Sequence, residues 1–406
     1  MAESRQKNDW LFHHSRKISG MKSHFSTILD DIPPSGIRKF FDLVIGAKDV
    51  ISLGVGEPDF KTPWSIREDA IYSLEQGKTS YTSNNGLLEC REAIATYLAD
   101  RFNAFYNASD EILLTFGVSE AVDVVLRSII NPGDEVIIPE PSYVCYTPLV
   151  QLAGGKAVTV DTSPTEFIPD PMAIEAAITP HTKALILCSP SNPTGRTIPK
   201  DTLVALGELA VKYDFWIIAD EVYAELTYDH SFQSVASLPG MKPSTILLNG
   251  FSKAFAMTGW RLGYVCAPPA LIARATKIHQ YSALCAPITS QYAAIEALKT
   301  CQKDVADMRE SYRTRRNLFV KRLNDIGLPT PLPEGAFYCF PDIRPTGLTS
   351  EEFAIQLLHS HRVAVVPGNV FGRGGEGHIR CCYATSLSEL KEALTRIQSF
   401  IKSLRA

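Results

Sequence analysis

The stretch Ser252-Lys253-Ala254-Phe255-Ala256-Met257-Thr258-Gly259-Trp260-Arg261 follows directly on the apolar run Thr245-Ile246-Leu247-Leu248-Asn249-Gly250-Phe251. An unbroken apolar run reads as a strand covered on both faces, as strands of parallel sheets are. A lysine ending such a strand is badly placed for a solvated charge, since lysine is rarely buried unpaired. It is well placed for an amine that attacks a carbonyl, with Arg261, eight positions on, available to hold an anion.

Working outward, runs of the same character recur at Glu111–Thr115, Glu135–Ile138, Ala184–Cys188, Phe215–Ala219 and Leu262–Ala267. Stretches of helix length lie between them, Ser119–Ile130 and Lys200–Tyr213 among them. This alternation predicts an α/β domain over residues 60–300, with a mostly parallel, seven-stranded-type sheet flanked by helices. Leu262–Ala267 comes after its predecessor with no intervening helix, so one antiparallel strand is expected.

Residues 1–59 and 301–406 are expected to form a smaller α+β domain, the N-terminal segment packing with the C-terminal lobe. That lobe carries a long charged helix from Asp304 through Leu323 and a further helix over Ser350–Ser360. Strand-like runs at Phe337–Phe340, Val363–Gly368 and His378–Tyr383 precede a terminal helix from Ser386.

The 406 residues are 45% hydrophobic and 21% charged, which is ordinary for a globular chain. A net charge of -4 supplies no field for nucleic acid or an anionic membrane. The nine cysteines are scattered without a C-x-x-C pair and read as thiols of a reducing, cytoplasmic compartment. The first thirty residues lack a continuous apolar core and read as a polar extension, not a secretory signal. The histidines, among them His279, His359 and His378, show no metal-ligand spacing and read as surface or packing residues.

Ligands of open parallel sheets sit beyond the carboxyl ends of the strands. The residues just past each predicted strand are therefore candidates: Gly117-Val118-Ser119, then Tyr143, Asn192, Asp220 with Tyr223, and Lys253. Five strands deliver polar, aromatic and basic groups to one edge. Asn192-Pro193-Thr194-Gly195, Asp220-x-x-Tyr223 and Ser252-Lys253…Gly259-Trp260-Arg261 occur in that order, 28 and 33 residues separating Asn192, Asp220 and Lys253.

These elements resemble the fold-type I, pyridoxal-phosphate-dependent aminotransferases of class I, in their aromatic, aspartate and broad-range branch, over roughly residues 35–400. The resemblance implies pyridoxal 5'-phosphate as cofactor and Lys253 as Schiff-base lysine and proton-transfer base. Asp220 would keep the pyridine nitrogen protonated, Tyr223 and Asn192 would meet the ring oxygen, and Tyr143 would cover the ring face. Gly117, Val118, Ser119, Ser252 and Arg261 would hold the phosphate. Arg380, in His378-Ile379-Arg380-Cys381-Cys382, and Gly56, in Gly54-Val55-Gly56-Glu57-Pro58, would take the substrate carboxylate, with Asn192 beside them. Tyr81 would reach the neighbouring subunit's phosphate, which implies a homodimer with shared sites. Ile37, in Ser35-Gly36-Ile37-Arg38-Lys39, resembles a substrate-adjacent segment.

The implied reaction moves the amino group of an aromatic or neutral L-amino acid, aspartate remaining open, to 2-oxoglutarate by a ping-pong mechanism. A carbon–sulfur β-lyase on the same scaffold is the alternative. Many relatives carry a hydroxyl residue where this chain has Gly250. One aspartate-specific branch carries lysine in place of Ser119, and another an arginine within the segment His279–Cys285; neither cation is present here. A DNA-binding regulator would need a domain that an extension of roughly 35 residues does not hold.

Overall fold

A computed structural model describes residues 25–34, 36, 37 and 49–404. By chain contacts, residues 1–33 and 34–406 are separate units; the first shows one short turn of 3-10 helix, Thr27–Asp30. The second unit carries every strand and every α-helix among the described residues.

Twelve strands are present among the described residues. They are β1 (Ile51–Ser52), β2 (Ile112–Thr115), β3 (Glu135–Glu140), β4 (Lys156–Asp161), β5 (Thr182–Cys188) and β6 (Trp216–Asp220). Then come β7 (Thr245–Gly250), β8 (Gly263–Cys266), β9 (Tyr338–Cys339), β10 (Val363–Ala364), β11 (Val366–Pro367) and β12 (Ile379–Cys382). Seven of them form one sheet in the order β2-β8-β7-β6-β5-β3-β4. β3 to β7 run parallel to one another, and β8 is antiparallel to both its neighbours, as expected of it.

The apolar strands explain themselves by their two-residue period. Ile138, Ile186, Ile218, Leu248 and Val265 pack on one face of the sheet, and Ile137, Leu185, Leu187, Ile217 and Ala219 on the other. Both faces are dry, so nothing in these strands needs to be polar until they end. β4 is the strand that the apolar-run pattern missed. Lys156–Asp161 is an edge strand whose positions are all half-exposed or exposed, so it carries no continuous apolar run.

The helix after β2 spans Gly117–Ile129, two residues earlier than the expected start at Ser119, because Gly117 takes φ +79° and turns the chain straight out of the strand. It buries Ala121, Val122, Val124, Val125 and Leu126, a stripe at helical spacing. The long helix is Gln302–Ile326 and stops at Gly327, whose φ of +96° is a left-handed end that favours glycine.

Beyond residue 330, β9, β12 and β11 make a separate three-stranded antiparallel sheet. Ser350–His361 begins with a capping box between Thr349 and Glu352, and Leu387–Ser403 with Ser386 accepting the Glu389 N–H. β1 pairs in parallel with β10, so residues just before 60 join strands of the C-terminal part. The expected contribution of residues 1–24 and 38–48 to that lobe lies outside the described residues.

Candidate active site

The order of the main sheet reverses between β3 and β5, and the chains leaving those two strands part there to open a crevice. A pocket of about 330 Å³ lies at this edge. Its lining includes Ile37, Gly56, Val118, Ser119, Tyr143, Asn192, Asp220, Tyr223, Ser252, Lys253, Arg261 and Arg380. Twelve of the fourteen residues singled out from the sequence therefore meet in one cavity. Gly117 stands behind the wall, where a Cβ would come within 2.5 Å of the Arg261 guanidinium. Tyr81 does not line the pocket; it is 82% exposed.

Lys253 Nζ donates to the Gly56 carbonyl at 2.7 Å. Burial pushes its ammonium down to about 8, with Arg380 and Arg261 adding to the push and Cys382 and Glu57 opposing it. A carbonyl is a weak partner for a full charge, so the free amine is within reach at ordinary pH.

Asp220 ends β6 with its carboxylate buried. Oδ2 accepts the Tyr146 hydroxyl at 2.7 Å and Oδ1 the Val222 N–H at 3.2 Å. Burial raises this carboxyl above its usual range despite those bonds and the nearby Lys253. Glu221, next in the chain, turns away: Oε1 accepts from Ser234 and Val235, and Oε2 has no partner among the described residues. The strand's alternation thus sends the first carboxylate into the pocket and the second into the packing.

Arg380 is 2% exposed. It donates to Asn192 Oδ1 at 2.9 Å and to the Gly54 carbonyl at 2.6 Å, and its Nε is buried without a partner. The Tyr338 and Phe371 rings flank the guanidinium at 4.5 and 5.0 Å. A buried guanidinium needs carboxylates or enough carbonyls to satisfy it; with its Nε left over, Arg380 gains from a counter-charge that joins it.

At the opposite end Arg261 donates to the carbonyls of Thr258 at 2.9 Å and Phe116 at 3.3 Å. Gly250 pairs with Gly263 across β7 and β8, and a Cβ on Gly250 would meet Gly263 Cα at 2.9 Å and the Leu262 carbonyl at 3.0 Å. A hydroxyl residue has no room there, while Ser252 lines the pocket.

Tyr338, Tyr146, Cys145, Cys188, Glu57 and Thr258 also line the cavity, though sequence reasoning assigns none of them a role. Tyr338 holds the Tyr223 hydroxyl at 2.9 Å. It ends the run Gly335-Ala336-Phe337-Tyr338, and Tyr146 lies one helical turn beyond Tyr143, which are the signals the sequence offers for them. Of the cysteines read as structural thiols, Cys145 and Cys188 are half-buried in this wall.

The model for aminotransferase class I and II matches residues 48–397. The chain belongs to the class I and II aminotransferases. A Bacillus subtilis chain assigned to the aminotransferases is 54% identical over 382 residues, spanning 94% of this chain and 99% of that one. The aspartate aminotransferase of Pyrococcus abyssi is 47% identical over 378 residues, 92% of this chain and 97% of the relative. The crystal structure of the aromatic aminotransferase from Pyrococcus horikoshii superposes with a TM-score of 0.87 at 46% identity, covering 91% and 99% of the two chains. This aminotransferase is accordingly a pyridoxal-phosphate-dependent transaminase of amino acids. These relatives carry aminotransferase names, which favours amino-group transfer over the carbon–sulfur lyase alternative.

The residues present fit that cofactor. An amine pushed down to about 8 suits an aldehyde. A buried carboxyl raised by desolvation suits a ring nitrogen that brings positive charge. A guanidinium beside a Cβ-free helix start suits a phosphate.

Proposed function

We propose that the transaminase takes aromatic or neutral L-amino acids as donors and 2-oxoglutarate as acceptor. One observation carries the reading: Arg380 is a buried guanidinium hydrogen-bonded to an amide oxygen and a carbonyl, with no carboxylate partner among the described residues, in the same pocket as Lys253. It is a socket for an α-carboxylate, with Asn192 and Gly56 beside it. The pocket's cations, among the described residues, are Lys253, Arg261 and Arg380. With Arg380 on the α-carboxylate and Arg261 on the phosphate, no cation is left for a second carboxylate. Ser119 offers a hydroxyl, which accommodates the distal carboxylate of 2-oxoglutarate without demanding one. Ile37, Val118 and Tyr143 supply apolar surface for an uncharged side chain.

When bound, pyridoxal phosphate supplies an aldehyde and an electron-accepting ring that stabilises negative charge at the substrate α-carbon. Lys253 would hold the cofactor through its aldehyde, and its amine would move the proton at the substrate α-carbon. Asp220, its carboxylate fixed by Tyr146, would keep a proton at the ring nitrogen. Tyr223 and Asn192 would meet the ring oxygen and Tyr143 would cover the ring. The turn amides of Gly117, Val118 and Ser119, together with Ser252 and Arg261, would take the phosphate, leaving the Ser119 hydroxyl to the substrate.

The same reading includes a homodimer. Lys61, Arg67 and Arg261 lie along one groove, and none has a carboxylate partner among the described residues. Tyr81 stands exposed, available to a second copy's phosphate end. The division into a cofactor-bearing domain, residues 60–300, and a smaller domain from 1–59 and 301–406 belongs to this proposal too. All seven strands of the main sheet lie between Ile112 and Cys266, which favours it. Among the described residues no helix is long and apolar enough to cross a membrane, and the proposed location is the cytoplasm.

A panel of amino donors against 2-oxoglutarate tests the substrate reading. Phenylalanine or tyrosine should exceed aspartate in kcat/KM; a tenfold or greater preference for aspartate overturns it, since that is about 1.4 kcal/mol of recognition no assigned residue provides.

A further inference from the structure

Glu120 and His279 lie outside the pocket, and neither the reaction nor cofactor binding uses them. Glu120 is in the first turn of the helix Gly117–Ile129, and its Oε2 accepts the Phe116 N–H at 2.5 Å. Its Oε1 is 2.9 Å from Nδ1 of His279, which lies on the neighbouring helix Pro269–Ser282. An ionised carboxylate only accepts, so the proton of that bond sits on Nδ1. The His279 side chain is 0% exposed, and its Nε2 has no partner among the described residues. Orphaning a buried ring nitrogen is unfavourable, and packing alone would be better served by an apolar side chain. What histidine provides here that leucine would not is the bond to Glu120.

Phe116 links that pair to the pocket. Its N–H is held by Glu120, and its carbonyl accepts from Arg261 Nη2 at 3.3 Å. Gly117 is next in the chain with φ +79°, so close to the guanidinium that a Cβ would lie 2.5 Å from Nη2. Thr115 Oγ1 donates to the Gly117 carbonyl at 3.0 Å. One turn of chain therefore sets both the helix-start amides and the arginine that faces them.

We propose that Glu120 and His279 are a positioning pair that holds the turn Phe116–Ser119, so that its amides and Arg261 converge on a single phosphate. This rests on the reading that the turn takes the cofactor's phosphate. The pair touches neither substrate nor cofactor; it acts through Phe116.

The test compares two ligands. Apoenzyme prepared from the holoenzyme is titrated with pyridoxal 5'-phosphate and with pyridoxal, which lacks the phosphate, and the ratio of the two dissociation constants is read. Glu120→Ala should cut the preference for the phosphorylated ligand about tenfold, the size of one charge-assisted hydrogen bond, and leave pyridoxal affinity unchanged. Glu120→Gln keeps an acceptor for the Phe116 N–H and should restore most of the preference. His279→Leu fills the ring's space but removes the donor, and should lower the preference severalfold; it decides the matter if Glu120→Ala does not fold. A purely structural role would weaken both ligands alike and leave the ratio at its wild-type value, which overturns the proposal. Arg261→Ala separates the two layers. If it cuts the preference about tenfold while the Glu120 and His279 variants keep it, the positioning pair is wrong and the phosphate reading stands. If Arg261→Ala keeps the preference, the phosphate reading itself fails and the proposal with it.

Discussion

Arg261 and Arg380 close opposite ends of one pocket, and neither meets a carboxylate among the described residues. They are built in opposite ways. Arg261 is exposed, sits at φ +53°, and is aimed by two main-chain carbonyls. Arg380 is buried between two aromatic rings, with an orphaned Nε. Other buried arginines show the ordinary solution: Arg315 reaches Asp59 at 2.7 Å and Arg316 reaches Asp229 at 2.6 Å. Arg91, also buried, is satisfied by the carbonyls of Gly86, Ala108 and Ser109. An exposed guanidinium is screened and acts as one donor among several. A buried, unbalanced one attracts its counter-ion strongly and selectively. In the proposed arrangement the cofactor end is assembled from many modest contacts, and the substrate end from one costly charge.

Lys253, between them, is the reference against which both ends are measured. Lys253→Ala should lower turnover by about 1,000-fold or more at saturating cofactor, because nucleophile and proton acceptor vanish together. Near-wild-type initial rates would remove the comparison altogether. Arg380→Ala should lower kcat/KM for amino acids by about 100- to 1,000-fold while cofactor affinity barely moves, since a fully desolvated charge contact is lost. Equal loss of cofactor affinity would mean the two ends are not separate.

Arg261→Ala should show the reverse: cofactor affinity down about tenfold, increasingly so at low salt, with KM for the amino acid unchanged once cofactor saturates. A changed KM would again merge the two ends.

Between the arginines, the rate at which apoenzyme captures pyridoxal phosphate should rise with pH and level off just above 8, because the free amine of Lys253 predominates above its lowered value. A rise continuing toward pH 10 would mean that burial does not act on this lysine.

The smallest effect belongs to Glu221, the carboxylate that β6 turns away from the pocket. Burial raises it to about 8, so the folded protein keeps a proton that the unfolded chain loses near its ordinary value of 4.5. Stability from this group therefore falls as pH rises between those limits and is flat beyond. Glu221→Gln should remove that slope, its Tm advantage in the apoenzyme growing to ~2 °C by pH 8. A constant difference across the range would show that the proton is not retained.

The strand ends were legible because parallel strands buried on both faces admit polar residues only where they stop. Asp220, Lys253 and the Asn192 turn stood out against Trp216–Ala219, Thr245–Leu248 and Ala184–Cys188 for that reason. β4 was invisible because this edge strand buries none of its residues fully and needs no apolar run. Tyr338 and Tyr146 are marked by the run Gly335–Tyr338 and by the spacing from Tyr143, but one tyrosine among 15 says nothing of whom its hydroxyl meets. His279 reads as a packing residue, and it is packed; that one ring nitrogen holds Glu120 depends on how two helices lie together, the two residues being 159 positions apart.

Chain order and periodicity by themselves determined the layered α/β design and the edge on which chemistry gathers, and the family resemblance pointed to the side chains, Arg380 and Gly56 among them, expected there. The tertiary structure alone decided the charge state those side chains meet: how burial raises Asp220, which arginine is dry, and how far a lysine is pushed from its ordinary ionisation. The division comes from range. Periodicity is set by neighbours along the chain, whereas desolvation and Coulomb energy depend on everything within a few ångströms, most of it distant in sequence.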